Sequence, residues 1–476
     1  MRRRAALIGV ALPAAAVVWP SPALAHALEQ KADLPIPKWL FGWAAAMVLI
    51  VSFVALAVLW VTPRLEEQNW RPLPRGVGRV LASRGVEIAC GAIGLFLLAV
   101  VVWAGLAGEQ VAPINFAPTF VYVIFWVGFV AASLLFGDVF RAFNPWRAVG
   151  RAVGFVARGV GGDALPQPLP YPTWLGRWPA VIGVAAFAWL ELAYQDATVP
   201  RNVALAALVY SVVTWVAMVL YGVERWCDRG EAFSVYFNLF SRISVFERRG
   251  DEVGLRRPLS GLAALEPLPG TVALVAVMIG SVTFDGLQEG SLWTDIGPEL
   301  ADFFLSLGVS ASASIELAAT VGLIGCVVLI GSFYGLGVLG AWLTVGGESW
   351  LRLARGFAHS LVPIALAYVA AHYLTFLLFQ GQAIIALSSN PLGRTSDLFG
   401  TADRAIDYSL LNAEATWYLQ VAFVVTGHVA ALALAHDRAL TLYRRGGDAI
   451  RSQLFMLAVM VGFTSLALWL LSQANA

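Results

Sequence analysis

The chain has 476 residues, of which 59% are hydrophobic and only 13% are charged, and its formal net charge is +1. A mean hydropathy of +0.74 excludes an ordinary soluble protein. The near-neutral charge and the lack of a basic stripe with interleaved aromatic residues exclude a nucleic-acid partner. Apolar runs of about 20 residues, the length that crosses hydrocarbon as a helix, recur along the chain and make the lipid bilayer its main partner.

The N-terminus has the layout of a secretory signal. Three arginines at positions 2–4 precede a short apolar stretch, and Ala23-Leu24-Ala25 matches the small-x-small pattern of a cleavage site. We therefore expect residues 1–25 to be a signal peptide and His26 to become the mature N-terminus. Cleavage after Ala27, which would remove His26, and an uncleaved signal anchor are the alternatives.

After the signal, the pattern predicts a single all-α domain over 26–476, a polytopic membrane helix bundle of about ten transmembrane helices. The predicted spans cover 39–61, 86–107, 119–139, 178–194, 201–222, 268–285, 313–345, 357–387, 414–437 and 452–474. Two of them, 313–345 and 357–387, exceed one bilayer thickness, so each must tilt, kink or project. Pro363 is the expected kink in the second.

Arginine is concentrated in alternate loops, those after the first, third, fifth, seventh and ninth spans. Representative positions are Arg71, Arg147, Arg248, Arg352 and Arg444. The intervening loop 284–302 is acidic. Because arginine and lysine concentrate on the cytoplasmic side, the pattern predicts that both mature ends face the periplasm or the exterior.

Two of the arginine-rich loops are long and mix aromatic residues with arginines. The segments near 140–158 and 232–246 are predicted to be amphipathic helices that lie on anionic lipid, rather than surfaces for a partner protein. Asn144-Pro145-Trp146 should interrupt the chain between the third span and the first of these segments.

Four of the five histidines lie in or beside apolar spans, where an imidazole is costly without a partner and marks a candidate functional site. In antiparallel helices, His372 and His428 fall at similar but unequal depths, and His359 and His436 fall near the arginine-rich loops. Together with His26, these are the candidate metal ligands. The alternative is that each one hydrogen-bonds to a backbone carbonyl or a hydroxyl group.

Carboxylates near the apolar spans are candidates for the same reason. Glu316 has small or apolar neighbours and is the strongest candidate, whereas Glu191, Glu87 and Glu224 lie near span ends, where solvation is expected. The outer loop 388–413 could cap a site that opens outward. The three cysteines form no CxxC pair, so neither a disulfide framework nor a zinc ribbon is indicated.

Several short stretches form a recognisable set. They are His26, DLPIPKWLF at 33–41, FNPW at 143–146, HSLVPI at 359–364, AHY at 371–373, GHV at 427–429 and AHDR at 435–438. Together they resemble the bacterial polytopic membrane proteins named fenitrothion hydrolase. The resemblance covers most of the chain. It implies an inner-membrane enzyme that hydrolyses an apolar aryl phosphorothioate triester and releases a nitrophenol.

Hydrolysis of a triester needs an activated water, commonly on a metal ion such as zinc. Because the chain has no HxH pair, we expect the catalytic site to combine His372, His428 and Glu316. One alternative is a redox or metal-handling protein that binds haem or copper through the same histidines, with His26 helping to chelate copper. A second is a proton-coupled transporter, although no repeated halves with matched broken helices are evident. The sequence leaves a second membrane subunit open as a partner.

Overall fold

The structure is a computed structural model that describes residues 38–66, 69–161, 167–443 and 445–474. The predicted signal peptide and His26 lie outside the described residues. The α-helices are α1 Lys38–Leu59, α2 Val77–Leu81, α3 Arg84–Ala107, α4 Phe116–Pro118, α5 Phe129–Phe136, α6 Val139–Phe143, α7 Pro145–Gly161, α8 Trp178–Leu192, α9 Pro200–Tyr221, α10 Val223–Arg229, α11 Ala232–Ser241, α12 Ser260–Ala263, α13 Thr271–Gln288, α14 Ser291–Ser306, α15 Ala311–Val345, α16 Trp350–Phe357, α17 Val362–His372, α18 Leu374–Phe379, α19 Ala383–Ser389, α20 Ala413–Leu442 and α21 Gly446–Ala474.

The prediction of an all-α polytopic membrane bundle is confirmed. In the described part of the chain, nine helices are long and apolar enough to cross a membrane. The spanning segments are Leu40–Leu59, Arg84–Ala107, Phe116–Phe136, Pro200–Tyr221, Thr271–Gln288, Ala311–Val345, Trp350–His372, Ala413–Leu442 and Gly446–Trp469. The third of these includes a π-helical stretch, Thr119–Gly128, between α4 and α5.

Two of the ten predicted spans differ from the structure. The segment predicted at 178–194 is α8, whose 15 residues extend about 22 Å, which is less than the hydrocarbon thickness of about 30 Å. The segment predicted as one span at 357–387 is divided: Trp350–His372 is long enough to cross, the helix breaks at Tyr373, and a shorter broken helix follows. A 3₁₀ turn at Ala358–Leu361 precedes Pro363, where the kink was expected.

Loops that the charge pattern placed on one side do meet at one end of the bundle, which we call the arginine-rich side. A small antiparallel sheet joins β1 Arg71–Pro72, β3 Glu252–Leu255 and β2 Phe246–Arg249, in that order. Arg438 Nη1 lies 2.9 Å from Glu66 Oε1 and ties the end of α20 to the loop after α1. Which face of a membrane this side meets stays a prediction.

Glu87 at the start of α3 organises the same side. Its side chain is 9% exposed and pairs with Arg151 at 2.8 Å and with Arg248 at 2.5 Å, which ties α7 and the β-hairpin to α3. Arg147 pairs with Glu224 at 3.1 Å and joins α7 to α10. Both carboxylates therefore pair with arginines of neighbouring elements, and Glu87 is largely removed from solvent whereas Glu224 stays partly exposed.

The two segments predicted to lie on lipid differ. In α7, which begins directly after Asn144, an apolar face that includes Phe155 and Val160 is exposed, so the prediction of a lipid-facing helix stands untested. The segment 232–246 was predicted wrongly, because α11 is buried on every face. Tyr236 of α11 stacks on Trp126 with ring centroids 4.3 Å apart. Its aromatic residues fill a protein core and do not form the apolar side of a surface helix.

Candidate functional site

The break between α17 and α18 brings three polar side chains together. His372 Nε2 lies 3.0 Å from Asp285 Oδ2, and the Tyr373 hydroxyl donates a 2.7 Å hydrogen bond to the same oxygen. The side chains of His372 and Asp285 are 8% and 15% exposed, and Tyr373 is buried. Asp285 belongs to the last turn of α13, so the site joins two apolar helices.

The break explains how two consecutive residues reach one oxygen atom. Consecutive side chains on a regular helix point about 100° apart and diverge. Tyr373 instead has φ −94° and ψ 12°, in the bridge region between α and β, and it separates α17 from α18. The imidazole and the phenol therefore converge on Asp285. The distortion is located at the polar cluster, where irregular backbone at membrane depth is tolerated because it is buried in protein.

The backbone of α13 lies against the His372 ring. A methyl group added at Gly286 would lie 3.7 Å from both Cε1 and Nδ1 of that imidazole. These are ordinary contact distances, so the glycine keeps the Nδ1 edge of the ring close to bare backbone. A larger side chain at this position would cover that edge.

A second carboxylate lies near the cluster. Glu191, near the end of α8, is close enough to interact electrostatically with Asp285 and His372. It interacts with Tyr373 in the same way. The carboxylate that contacts the imidazole, that of Asp285, can exchange a proton with it, because an imidazole is the side chain that most readily changes charge near neutral pH. The arrangement is suited to general acid–base chemistry or to proton transfer.

The structure separates His372 from His428. Gln420 Nε2 of α20 donates to the Ala371 carbonyl at 3.0 Å, which places Gln420 at the level of His372. Gly427 packs against Pro363 and Ala367. His428 is therefore roughly 8–12 Å further along the bundle axis at helical rise. That separation argues against one metal ion shared by the two histidines.

His359 and His436 are both bound within the structure near the arginine-rich side. His359 Nδ1 donates to the Gly356 carbonyl at 2.9 Å. His436 Nε2 lies 2.9 Å from the Trp60 carbonyl, and its Nδ1 lies 3.2 Å from Gln453 Oε1. Their contacts match the structural alternative that the sequence left open.

Glu316 lies apart from the described contacts of the cluster. Its carboxylate accepts a 3.3 Å hydrogen bond from the Gln195 backbone and thereby holds the turn after α8. Over the described residues, no group of three or more His, Cys, Asp and Glu side chains is arranged to hold a metal ion. The loop 388–413 packs on the end of α3, where Arg394 donates to the Ala107 carbonyl at 2.6 Å.

The sequence analysis did not identify Asp285 as a site residue, and it predicted that Glu191 would be solvated. Asp285 was counted with the acidic loop 284–302, although it is the last residue of the predicted apolar span 268–285. A carboxylate in the final turn of one apolar span and a histidine inside another form a signal that could have paired Asp285 with His372. Glu191 was expected to be solvated because α8 was taken as ending in water.

No protein-family model, curated protein or solved structure matches the chain. The family resemblance carried by the six short stretches and His26 therefore stays an expectation, and the geometry of the cluster is the main guide to function.

Proposed function

We propose that the chain is a membrane-embedded hydrolase of apolar esters in which His372 is the general base and Asp285 orients it. The observation that carries this proposal is the 3.0 Å contact between His372 Nε2 and Asp285 Oδ2 inside the bundle. Aryl organophosphorus triesters are the substrate class that the sequence resemblance implies. Such apolar molecules partition into lipid, so a site among membrane helices is physically sensible for them.

The proposed reaction uses the two ring nitrogens differently. A carboxylate that accepts from Nε2–H fixes the tautomer and leaves Nδ1 as the basic nitrogen. Nδ1 of His372 takes one proton from a water molecule while the water oxygen forms a bond to phosphorus. The bond from phosphorus to the aryl oxygen then breaks, and the nitrophenolate leaves with the electron pair. The proton on His372 finally passes to the leaving group or to solvent.

The experiment measures nitrophenol release from a fenitrothion-type triester by membranes that contain the full chain. We expect His372→Asn and Asp285→Asn each to lower kcat by about 10²–10⁴-fold, the usual contribution of a positioned base. Glu316→Gln is the matched control, since it changes a carboxylate outside the cluster and should retain turnover. Full turnover in both cluster variants, at equal amounts of folded protein, would remove this site from the reaction.

A proton-coupled transporter is the second candidate, and the broken helix at Tyr373 favours it. Interrupted helices beside buried ionisable side chains are the usual construction of intramembrane transport sites. Vesicles that contain the chain would then move protons in response to a substrate gradient, and His372→Asn would abolish that movement without any nitrophenol being formed. For the haem or copper alternative, Nδ1 of His359 and both ring nitrogens of His436 contact oxygen atoms of the protein, and the alternative stays a prediction.

We also propose the bacterial inner membrane as the location, with both mature ends outside. Supporting this are the alternate arginine-rich loops, several of which meet at one end of the bundle. A reporter fused after Ala476 that is active only in the cytoplasm should be silent. A strong cytoplasmic signal would reverse the orientation without affecting the site.

A further inference from the structure

Several buried polar atoms have no hydrogen-bond partner in the described part of the chain. Among them are His428 Nε2 on α20 and the Tyr368 hydroxyl oxygen on α17, which lie on adjoining helices. His428 is 0% exposed and Tyr368 is 7% exposed. Buried polar atoms are almost always paired, so two unpaired atoms on adjoining helices call for a bound group that pairs them.

The helix packing brings these two side chains to the same side of the α17–α20 contact. The helices run antiparallel, and Gly427 faces Ala367. The next residue of each helix is rotated by about 100°, and in antiparallel helices the two rotations lead to the same side. Phe463 of α21 lies there, with its ring centroid 5.9 Å from Tyr368 and 6.3 Å from His428.

The hydrogen-bonding chemistry of the two atoms is complementary. His428 Nδ1 lies 2.8 Å from the Val424 carbonyl, which can only accept, so Nδ1 carries the proton and Nε2 presents a lone pair. The Tyr368 hydroxyl can both donate and accept. A water molecule satisfies both groups, since it can donate to Nε2 and accept from or donate to the phenol.

We propose that His428 and Tyr368 hold a buried water molecule and that this site relays protons to and from the Asp285–His372 pair. Tyr368 precedes His372 by four residues, so the two lie one turn apart on the same face of α17, with the water site nearer the arginine-rich side. His372 gives its proton to the phenol oxygen as the phenol releases its own proton to the water, and the water in turn gives one to His428 Nε2. Tyr368 and the water each receive and lose one proton and are unchanged, His372 becomes neutral and His428 becomes protonated, and the reverse sequence returns the proton. The relay rests on the proposed function, whereas the water site does not.

The water site is tested by ¹⁵N NMR of the full chain with labelled histidine, and His428→Gln assigns the His428 resonances by their loss. We expect magnetisation transfer from water to His428 and an Nε2 shift typical of a hydrogen-bonded acceptor. Tyr368→Phe should change that shift. Tyr334→Phe is the matched control, because Tyr334 is a buried tyrosine that donates to the Ala354 carbonyl and should leave the His428 resonance unchanged. An Nε2 shift typical of a bare lone pair, or no response to Tyr368→Phe, would overturn the water site.

The relay is tested by turnover. We expect Tyr368→Phe to lower kcat about tenfold and to raise the solvent deuterium isotope effect while KM is unchanged, because a proton transfer becomes slower but substrate binding does not. If NMR shows the bound water but Tyr368→Phe leaves kcat and the isotope effect unchanged, the relay is wrong and the water site stands. If His372→Asn retains turnover, the proposed function fails, and the NMR result still decides whether the water site exists.

Discussion

Two regions of the bundle bury histidine beside aspartate, and they use the pair differently. Near the arginine-rich side, His436 precedes Asp437, whose carboxylate accepts from the Arg64 backbone N–H at 2.6 Å and from Trp60 Nε1 at 2.9 Å. At the helix break, Asp285 instead binds the side chains of His372 and Tyr373. A carboxylate bound by the backbone fixes a turn, whereas one that binds an imidazole can take part in proton transfer. The kind of partner therefore separates the structural region from the functional one.

The largest effect is expected from changing Asp285 and His372, and the double variant tests whether the two residues act as one unit. Residues that act together are strongly non-additive, so the double variant Asp285→Asn/His372→Asn should lose about the same 10²–10⁴-fold in kcat as each single variant. The measurement is a double-mutant cycle on triester turnover. Losses that multiply in the double variant would show that the two residues act independently.

The next effect concerns stability in the structural region. Asp437→Ala removes the acceptor for two backbone N–H groups and one indole N–H, and it should lower the free energy of unfolding by about 3 kcal/mol, since buried donors lose their partner. Thermal unfolding in detergent measures the loss. Asp437→Asn keeps one acceptor oxygen and should lose less.

Turnover measurements on Asp437→Ala distinguish the structural region from the functional one. Because Asp437 is expected to act only through folding, kcat per folded molecule should be unchanged in Asp437→Ala. A fall as large as that of His372→Asn would mean that the structural region also takes part in the reaction.

Much of the bundle followed from hydropathy, because helices that cross lipid must satisfy their own backbone and so need long apolar runs. The same reasoning failed where polar side chains satisfy each other across helices. Nothing local to the segment 357–387 reveals the break at Tyr373, since the contact that accompanies it is with Asp285, which lies 88 residues earlier in the chain. Likewise, the composition of α11 suggested a lipid surface, and only the packing of Trp126 on Tyr236 shows that it is core.

Only part of the candidate site could be predicted from the sequence. The sequence singled out His372, because an imidazole in an apolar span needs a partner. The partner itself was not found, since depth along two antiparallel helices does not give the rotation of either one. His428 was paired with His372 on depth alone, and the contacts of Gln420 and Gly427 place it at another level.

A moderate effect is expected at the contact between α17 and α20. A methyl group at Gly427 would lie 2.4 Å from Ala367 Cβ and 2.7 Å from the Pro363 carbonyl oxygen, so the helices would have to separate. Gly427→Ala should therefore cost about 1–3 kcal/mol of stability. It should also disturb the neighbouring His428, visible in its NMR resonance. An unchanged melting temperature would contradict the close packing.

The smallest effect is expected from the same change at Gly286, in the functional region. Here the added methyl group would meet Cε1 and Nδ1 of His372 at 3.7 Å, which is ordinary contact, so nothing has to move. Alanine also favours a helix over glycine by about 0.5–1 kcal/mol, so Gly286→Ala should leave stability unchanged or slightly raised. Turnover should change by less than about threefold, because the methyl group touches the ring edge without displacing the ring from Asp285. Gly286→Leu should instead cover Nδ1 and abolish nitrophenol release while the protein stays folded. If the leucine variant retains turnover, water does not reach His372 along this edge, and the Nδ1 nitrogen is not the base.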